Sequence, residues 1–263
     1  MKIDKRLIDV SLDGRVGQLR LVHVEKLNVM GSKLIDQFVD GLNFLKNEGA
    51  LAVIVCTLPD VQVWSAGYDV NELPPHTHDP LEFHEPLRRA VRAMQASPLP
   101  IIMQIEGTVW GGACEWVLAA DIVVASESSS FSFTPSRLGV PYNPSGIMNL
   151  LNSIPQHILK EMFYRAKPVP ATRLANYGVV NHVVPVEDLS IFTHQIASEI
   201  TLTAPLANAV FKEQVTSICN AIPLTSGEFE RIEASRRVVY CSDDYLEGLT
   251  AIKEKRPPKF RGC

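Results

Sequence analysis

Apolar and polar positions alternate along residues 15–23, which predicts a strand. Leu34, Ile35, Phe38, Val39, Leu42 and Leu45 recur at the spacing of one helical face. Ser32 stands before them as an expected N-cap, and Gly49 follows as an expected stop. Residues 51–57 are an unbroken apolar run, the pattern of a strand covered on both faces. Residues 79–97 predict a helix that starts on Asp79-Pro80. A buried strand is expected at 100–105, a short apolar helix at 113–120, and strands at 121–125 and 130–133. Strand, helix and strand thus recur, which predicts stacked βα units rather than a sandwich. Beyond about residue 145, helical patterns dominate at 155–166, 171–177, 186–203, 205–218, 227–240 and 243–255. Only 179–184 interrupts them as extended chain. The reading is an α/β core followed by an α-helical C-terminal part.

Composition narrows the function. The 263 residues suffice for one large domain or a domain with a small appendage. Hydrophobic residues make up 46% and charged residues 21%, as in ordinary globular enzymes. A net charge of −4, with no basic run, argues against nucleic acid as a partner. The first nine residues contain no uninterrupted apolar core, so neither a leader nor a membrane anchor is expected there. No other stretch approaches the roughly 18 apolar residues of a membrane span. Cys56, Cys114, Cys219, Cys241 and Cys263 are scattered and never spaced Cys-x-x-Cys. Free thiols in a reducing cytoplasm are the expectation. His76, His78 and His84 cluster beside Asp79 without a matching set of ligands, so no metal is expected.

Two small-residue turns after apolar runs carry the candidate chemistry: Ser65-Ala-Gly-Tyr-Asp69 and Gly111-Gly112. Each is either a plain structural turn or a place where a ligand meets the backbone. Two such turns aimed at one point would present two N–H groups to one oxygen, as a thioester carbonyl gaining negative charge requires. Glu115 either works as an acid or base or complements the start of its helix. Tyr142 sits in Pro141-Tyr-Asn-Pro144, a segment stiffened by its prolines, and is either a positioned donor or an ordinary half-buried phenol. Arg88 and Arg89 form either a solvated face or a contact to an acidic ligand. Lys253, Lys255, Arg256, Lys259 and Arg261 form a basic cluster, read as mixed-charge exterior or as a contact to phosphates.

These residues together resemble the crotonase (enoyl-CoA hydratase/isomerase) superfamily over nearly the whole chain. The resemblance is carried by 26–30, 65–69, 106–115, 119–126, 131–133, 242–248 and 254–260. It implies a crotonase-like α/β spiral of ββα units over residues 1–200 and a helical trimerisation region over 201–263. It implies a homotrimer or a hexamer of two trimers, and an acyl-CoA substrate, so that coenzyme A arrives with the substrate and no separate cofactor is needed. The N–H groups of Tyr68 and Gly112 would form the oxyanion hole, with Tyr142 and Glu115 as the other catalytic candidates. Lys26, Ala66, Gly67, Asp69, Val70, Trp110, Gly111 and Val140 would bind the CoA ester.

Departures from the family pattern refine the activity. Hydratases of this superfamily use two glutamates; the first matches Glu115, but Ser136 stands at the second. No aspartate lies in residues 136–147 to serve as the nucleophile that dehalogenation needs. Within the superfamily the similarity is to bacterial decarboxylases of methylmalonyl-type CoA esters, with Tyr68 where those carry histidine. Loss of CO2 needs no general base. The expectation is decarboxylation through an enolate, with Tyr142 orienting the leaving carboxylate among Trp110, Val140 and Ile147. The alternatives are hydration, isomerisation or hydrolysis by Glu115 alone, binding without catalysis, and a thioester carried on an acyl carrier protein.

Overall fold

The computed structural model describes residues 5–73, 85–221 and 223–262. The His76, His78 and His84 cluster, the Asp79-Pro80 helix start and Cys263 lie outside these residues. Strands β1 (Ile8–Asp13) and β2 (Val16–Leu21) form an antiparallel hairpin. Helix α1 (Ser32–Asn47) follows and buries Leu34, Ile35, Phe38, Leu42 and Leu45, the face its spacing predicts. Its N-cap is Gly31 rather than Ser32. Ser32 instead donates both its amide and its hydroxyl to the Glu72 carboxylate, which does the work of a cap from outside the helix.

The chain then winds in ββα turns. Strand β3 (Ala52–Thr57) leads to β4 (Val63–Ser65) and α2 (Pro86–Ala96). Strand β5 (Ile101–Ile105) leads to β6 (Thr108–Trp110) and α3 (Gly112–Leu118). Strand β7 (Ile122–Ser126) leads to β8 (Ser130–Ser132). Each turn lays one strand in each of two sheets. The larger sheet runs β1-β2-β3-β5-β7-β10, parallel from β2 onward. The smaller runs β4-β6-β8-β9, with β9 (Val169–Pro170) antiparallel at its edge and β10 (His182–Val184) closing the first. Every residue of β3 is buried, which explains its unbroken apolar run.

Two elements differ from expectation. Helix α2 begins at Pro86, because Glu85 is extended and caps it by accepting from the amides of Leu87 and Arg88. The stiff segment around Tyr142 ends in a helix, α4 (Pro144–Ser153), with Asn143 as cap and Pro144 as first residue. Six helices follow: α5 (Gln156–Arg165), α6 (Ala171–Ala175), α7 (Leu189–Thr201), α8 (Pro205–Cys219), α9 (Ser226–Tyr240) and α10 (Asp243–Lys253). The core lies between the sheets and α1–α3. There Trp116 packs edge-on against Phe38, with ring centres 4.9 Å apart, and against Trp64 at 5.6 Å. No helix is long and apolar enough to cross a membrane, among the described residues.

Candidate active site

The ends of β4 and β6 place the two small-residue turns side by side. Gly67 has φ of +90°, and a Cβ there would lie 2.5 Å from the Trp110 carbonyl oxygen, so only glycine fits between the turns. The carbonyl of Gly67 accepts from the Met30 amide at 2.8 Å, and the Asp69 amide donates to the Met30 carbonyl at 3.1 Å. Bonding at 67 and 69 along an extended segment turns the Tyr68 amide the opposite way. Gly111, with φ of +53°, donates to the Ser132 carbonyl at 2.8 Å and leaves Gly112 to begin α3. As a first-turn residue, Gly112 has no intrahelical acceptor for its amide. A Cβ built on Gly112 would lie 3.7 Å from the Tyr68 Cβ and 3.9 Å from the Tyr68 nitrogen. The two amides border one small space, and neither has a backbone acceptor among the described residues.

That space opens into a cavity of about 620 Å³. Ala66, Tyr68, Val70, Gly111, Gly112, Val140 and Tyr142 line it, together with Leu73, Leu87, Thr134, Pro135 and Leu138. Ala251, Ile252, Pro257 and Pro258 close it from the C-terminal segment, and Arg137 and Arg256 supply its charged groups. No carboxylate lines it, among the described residues. Arg256 is held by Glu247 and Glu254, with nitrogen–oxygen distances of 2.6 Å to each.

Tyr142 is fixed from several sides. Its ring packs on Phe163 at 5.4 Å and so tightly on Gly146 that a Cβ there would fall 2.7 Å from the ring. The Tyr240 hydroxyl donates to the Pro141 carbonyl at 2.9 Å, and Asn143 accepts from the Gly146 amide at 2.6 Å. The Tyr142 hydroxyl is sealed from solvent with no hydrogen-bond partner among the described residues. Burial pushes this phenol far above its ordinary range, and Arg88 offsets the rise only in part. Tyr142 therefore stays a donor. Burial raises Tyr68 likewise, reinforced by the carboxylates of Glu85, Glu72 and Asp69.

Glu115 lies elsewhere. Its side chain is buried off the cavity wall, where one oxygen accepts from Arg88 and from Asn149 at 3.2 Å. Arg88, read from sequence as solvated or ligand-facing, is buried between Glu115 and Glu85 and donates to Ser145 at 3.1 Å. Arg89 is the half-buried member of that pair and meets Asp36. Removing the guanidinium by Arg88→Leu strands two buried carboxylates. The unfolding free energy is expected to fall by about 3–5 kcal/mol. Denaturant titration checks this, and a loss below about 1 kcal/mol would mean that water reaches the cluster.

Four more expected site residues stand off the cavity wall: Gly67, packed between the two turns, and Trp110, Asp69 and Lys26. Trp110 points its indole N–H to the Thr108 hydroxyl at 2.9 Å. Asp69 caps its own turn by accepting from the Asn71 amide at 3.0 Å, and Lys26 is exposed on a short helical turn. Ile147 belongs to a neighbouring cavity. Conversely, Arg137, Leu87, Ala251, Ile252, Pro257 and Pro258 were not expected in the site, and of the basic cluster 253–261 only Arg256 lines the cavity. Arg137 alone had a local signal, as the cation of the same glycine- and proline-rich segment that holds Tyr142.

A family model for enoyl-CoA hydratase/isomerase matches residues 12–263. The chain belongs to the enoyl-CoA hydratase/isomerase family. Within that family it is 42% identical over 255 residues to methylmalonyl-CoA decarboxylase of Escherichia coli (strain K12), covering 97% of this chain and 98% of the relative. It is 29% identical to carnitinyl-CoA dehydratase of Salmonella enteritidis, over 84% of this chain and 85% of that one. Among solved structures it resembles methylmalonyl-CoA decarboxylase in complex with 2-nitronate-propionyl-CoA, with a TM-score of 0.97 and 41% identity over 98% of this chain and 99% of that one. The same enzyme complexed with 2S-carboxypropyl CoA gives a TM-score of 0.96 at 41% identity, over 99% and 100%. The spiral fold of the enoyl-CoA hydratase/isomerase family, expected from the sequence, is the fold of this chain.

Proposed function

We propose that this chain is a carboxy-lyase that decarboxylates methylmalonyl-CoA or a close malonyl-type CoA ester. One observation carries the choice of reaction: a cavity that joins two amides and a sealed phenol but shows no carboxylate along its described wall. Hydration, isomerisation and hydrolysis all need a base or an activated water there. Decarboxylation needs neither, because the leaving group takes no proton with it. Similarity to methylmalonyl-CoA decarboxylase over 97% of the chain supports the same reading.

In this mechanism the thioester oxygen accepts from the amides of Tyr68 and Gly112. The bond between the α-carbon and the carboxylate breaks. Its electron pair passes to the α-carbon and the thioester oxygen, and CO2 leaves neutral. The two amides act on charge that develops only as that bond breaks, where each such donor is worth about 100- to 1,000-fold in rate. Once the entering substrate displaces the packing that seals it, the Tyr142 hydroxyl donates to the departing carboxylate and holds the breaking bond perpendicular to the carbonyl plane. Val140 and Leu87 exclude water from a carboxylate that becomes an apolar molecule. A proton taken from water then bonds to the α-carbon in place of the lost carboxylate and completes the reaction. Arg137 suits a phosphate of coenzyme A, whereas Arg256 is already engaged by Glu247 and Glu254.

The test is a panel of malonyl-, methylmalonyl-, ethylmalonyl- and crotonyl-CoA, scored for CO2 and for new thioesters. Release of CO2 from a malonyl-type ester is the expected result. Hydration of crotonyl-CoA without CO2 would return the chemistry to Glu115, and binding without product would make the chain a non-catalytic acyl-CoA carrier. A carrier-protein thioester presents the same reacting atoms, so the panel includes both forms.

Helix α8 leaves Leu206, Val210, Phe211, Val215 and Ile218 exposed, between 48% and 83%, and buries none of its residues. Such a face supports a homotrimer, or a hexamer of two trimers. The free thiols of Cys56 and Cys114 support a reducing, cytoplasmic setting.

A further inference from the structure

Beyond Tyr142 lies a second cavity, of about 430 Å³. It meets the first at Pro135, Val140 and Tyr142, which line both. Its far wall is Ile147 and Leu151 of α4 with Leu159 and Phe163 of α5. It reaches the surface among Gln156, Lys160 and Tyr164, all exposed. The Tyr142 side chain is thus a partition between the reaction cavity and an apolar space with its own opening. The mechanism above makes no use of this space.

The chemistry gives it an occupant. A CoA ester that fills the first cavity would stand between CO2 and that cavity's mouth. CO2 that lingers beside the enolate re-forms the bond just broken. The departing group starts as an anion, held by the Tyr142 hydroxyl, and ends as a small neutral molecule without a dipole. Such a molecule enters apolar space without the penalty that an ion or a hydrogen-bonding group meets there. Water pays that penalty along the apolar wall of Ile147, Leu151, Leu159 and Phe163.

We propose that the cavity between α4 and α5 is the exit chamber for CO2, separate from the channel that holds coenzyme A. The inference rests on the decarboxylase reading. It requires no residue beyond those that line the chamber, and no co-reactant. It also assigns a second role to Val140 and Pro135: they form the threshold between bond cleavage and release.

Leu151 is 40% exposed, so Leu151→Trp fills the chamber from its rim without disturbing the core. Leu159→Phe fills it from the opposite wall, and Leu151→Ala widens it. Two readouts apply. The first is xenon, which enters apolar chambers that water leaves dry. Crystals of the wild type with a non-decarboxylating malonyl-CoA mimic should show xenon in the chamber, and Leu151→Trp should not. The second is the ¹³C isotope effect on the leaving carboxyl. Trapped CO2 returns to the enolate, so in Leu151→Trp the effect should fall toward unity while turnover drops by roughly threefold to tenfold, as release becomes limiting. Leu151→Ala should keep wild-type values of both. If a crystal structure shows the chamber filled in Leu151→Trp or Leu159→Phe, yet turnover and isotope effect are unchanged, the exit lies elsewhere. If the wild type releases no CO2 from any malonyl-type ester, the decarboxylase reading fails first and takes the exit chamber with it.

Discussion

Tyr142→Phe is expected to lower turnover on a malonyl-type CoA ester by about a hundredfold, the scale on which a mispositioned reacting group loses rate. The KM should move far less, because the hydroxyl is one contact among the many that hold the coenzyme. The same substitution should not weaken the fold. In the unliganded protein this hydroxyl is sealed and has no described partner, and leaving such a group unpaired costs about 1–3 kcal/mol. Phenylalanine keeps the ring on Phe163 and Gly146 and removes the orphaned oxygen. Thermal or denaturant unfolding should therefore show equal or greater stability alongside the lost activity. A purely structural tyrosine predicts the reverse pattern, with activity kept and stability changed. Wild-type turnover in the variant would remove Tyr142 from the mechanism.

Gly112→Ala is expected to cost about 100- to 1,000-fold in turnover, the loss typical of a disabled oxyanion donor. The added methyl would project 3.9 Å from the Tyr68 nitrogen, into the space that the two amides border. It would also stand 3.0 Å from a Leu87 methyl, a flexible tip that can move aside. Gly112 is the first residue of α3 and has no left-handed backbone, so alanine suits the position and gains helix propensity over glycine. The fold should survive and the chemistry should not. Steady-state kinetics beside a circular dichroism melt separates the two. Full activity in Gly112→Ala would show that the thioester oxygen binds somewhere other than between these amides.

Regular elements with long periodic patterns could be read from the chain alone. The apolar face of α1 and the unbroken run of β3 are local facts, fixed by spacing within one segment. Strands β4 and β6 are three residues each, too short to show a period, and exist because they pair with one another. The site divides along the same line. Tyr68, Gly112 and Tyr142 stand in segments whose glycines and prolines mark unusual backbone. Arg88 gave no such mark. Its burial depends on Glu115, twenty-seven positions later, folding against it. For the same reason the role of Glu115 could not be settled from its place near the start of α3. Trp110 was expected to face the substrate, but the Thr108 hydroxyl two residues earlier takes its indole. The C-terminal wall carried a basic cluster and a family motif, but nothing local to show that Ala251, Ile252, Pro257 and Pro258 fold over a cavity built from residues 66–142.

That wall has a consequence in time. Both amides and the phenol are encoded by position 142, yet Ala251, Ile252, Pro257 and Pro258 complete the enclosure. A chain emerging from the ribosome would hold every reacting group more than a hundred residues before it could shelter a thioester. Competence should arrive abruptly, once residues 251–258 have emerged and folded over the site.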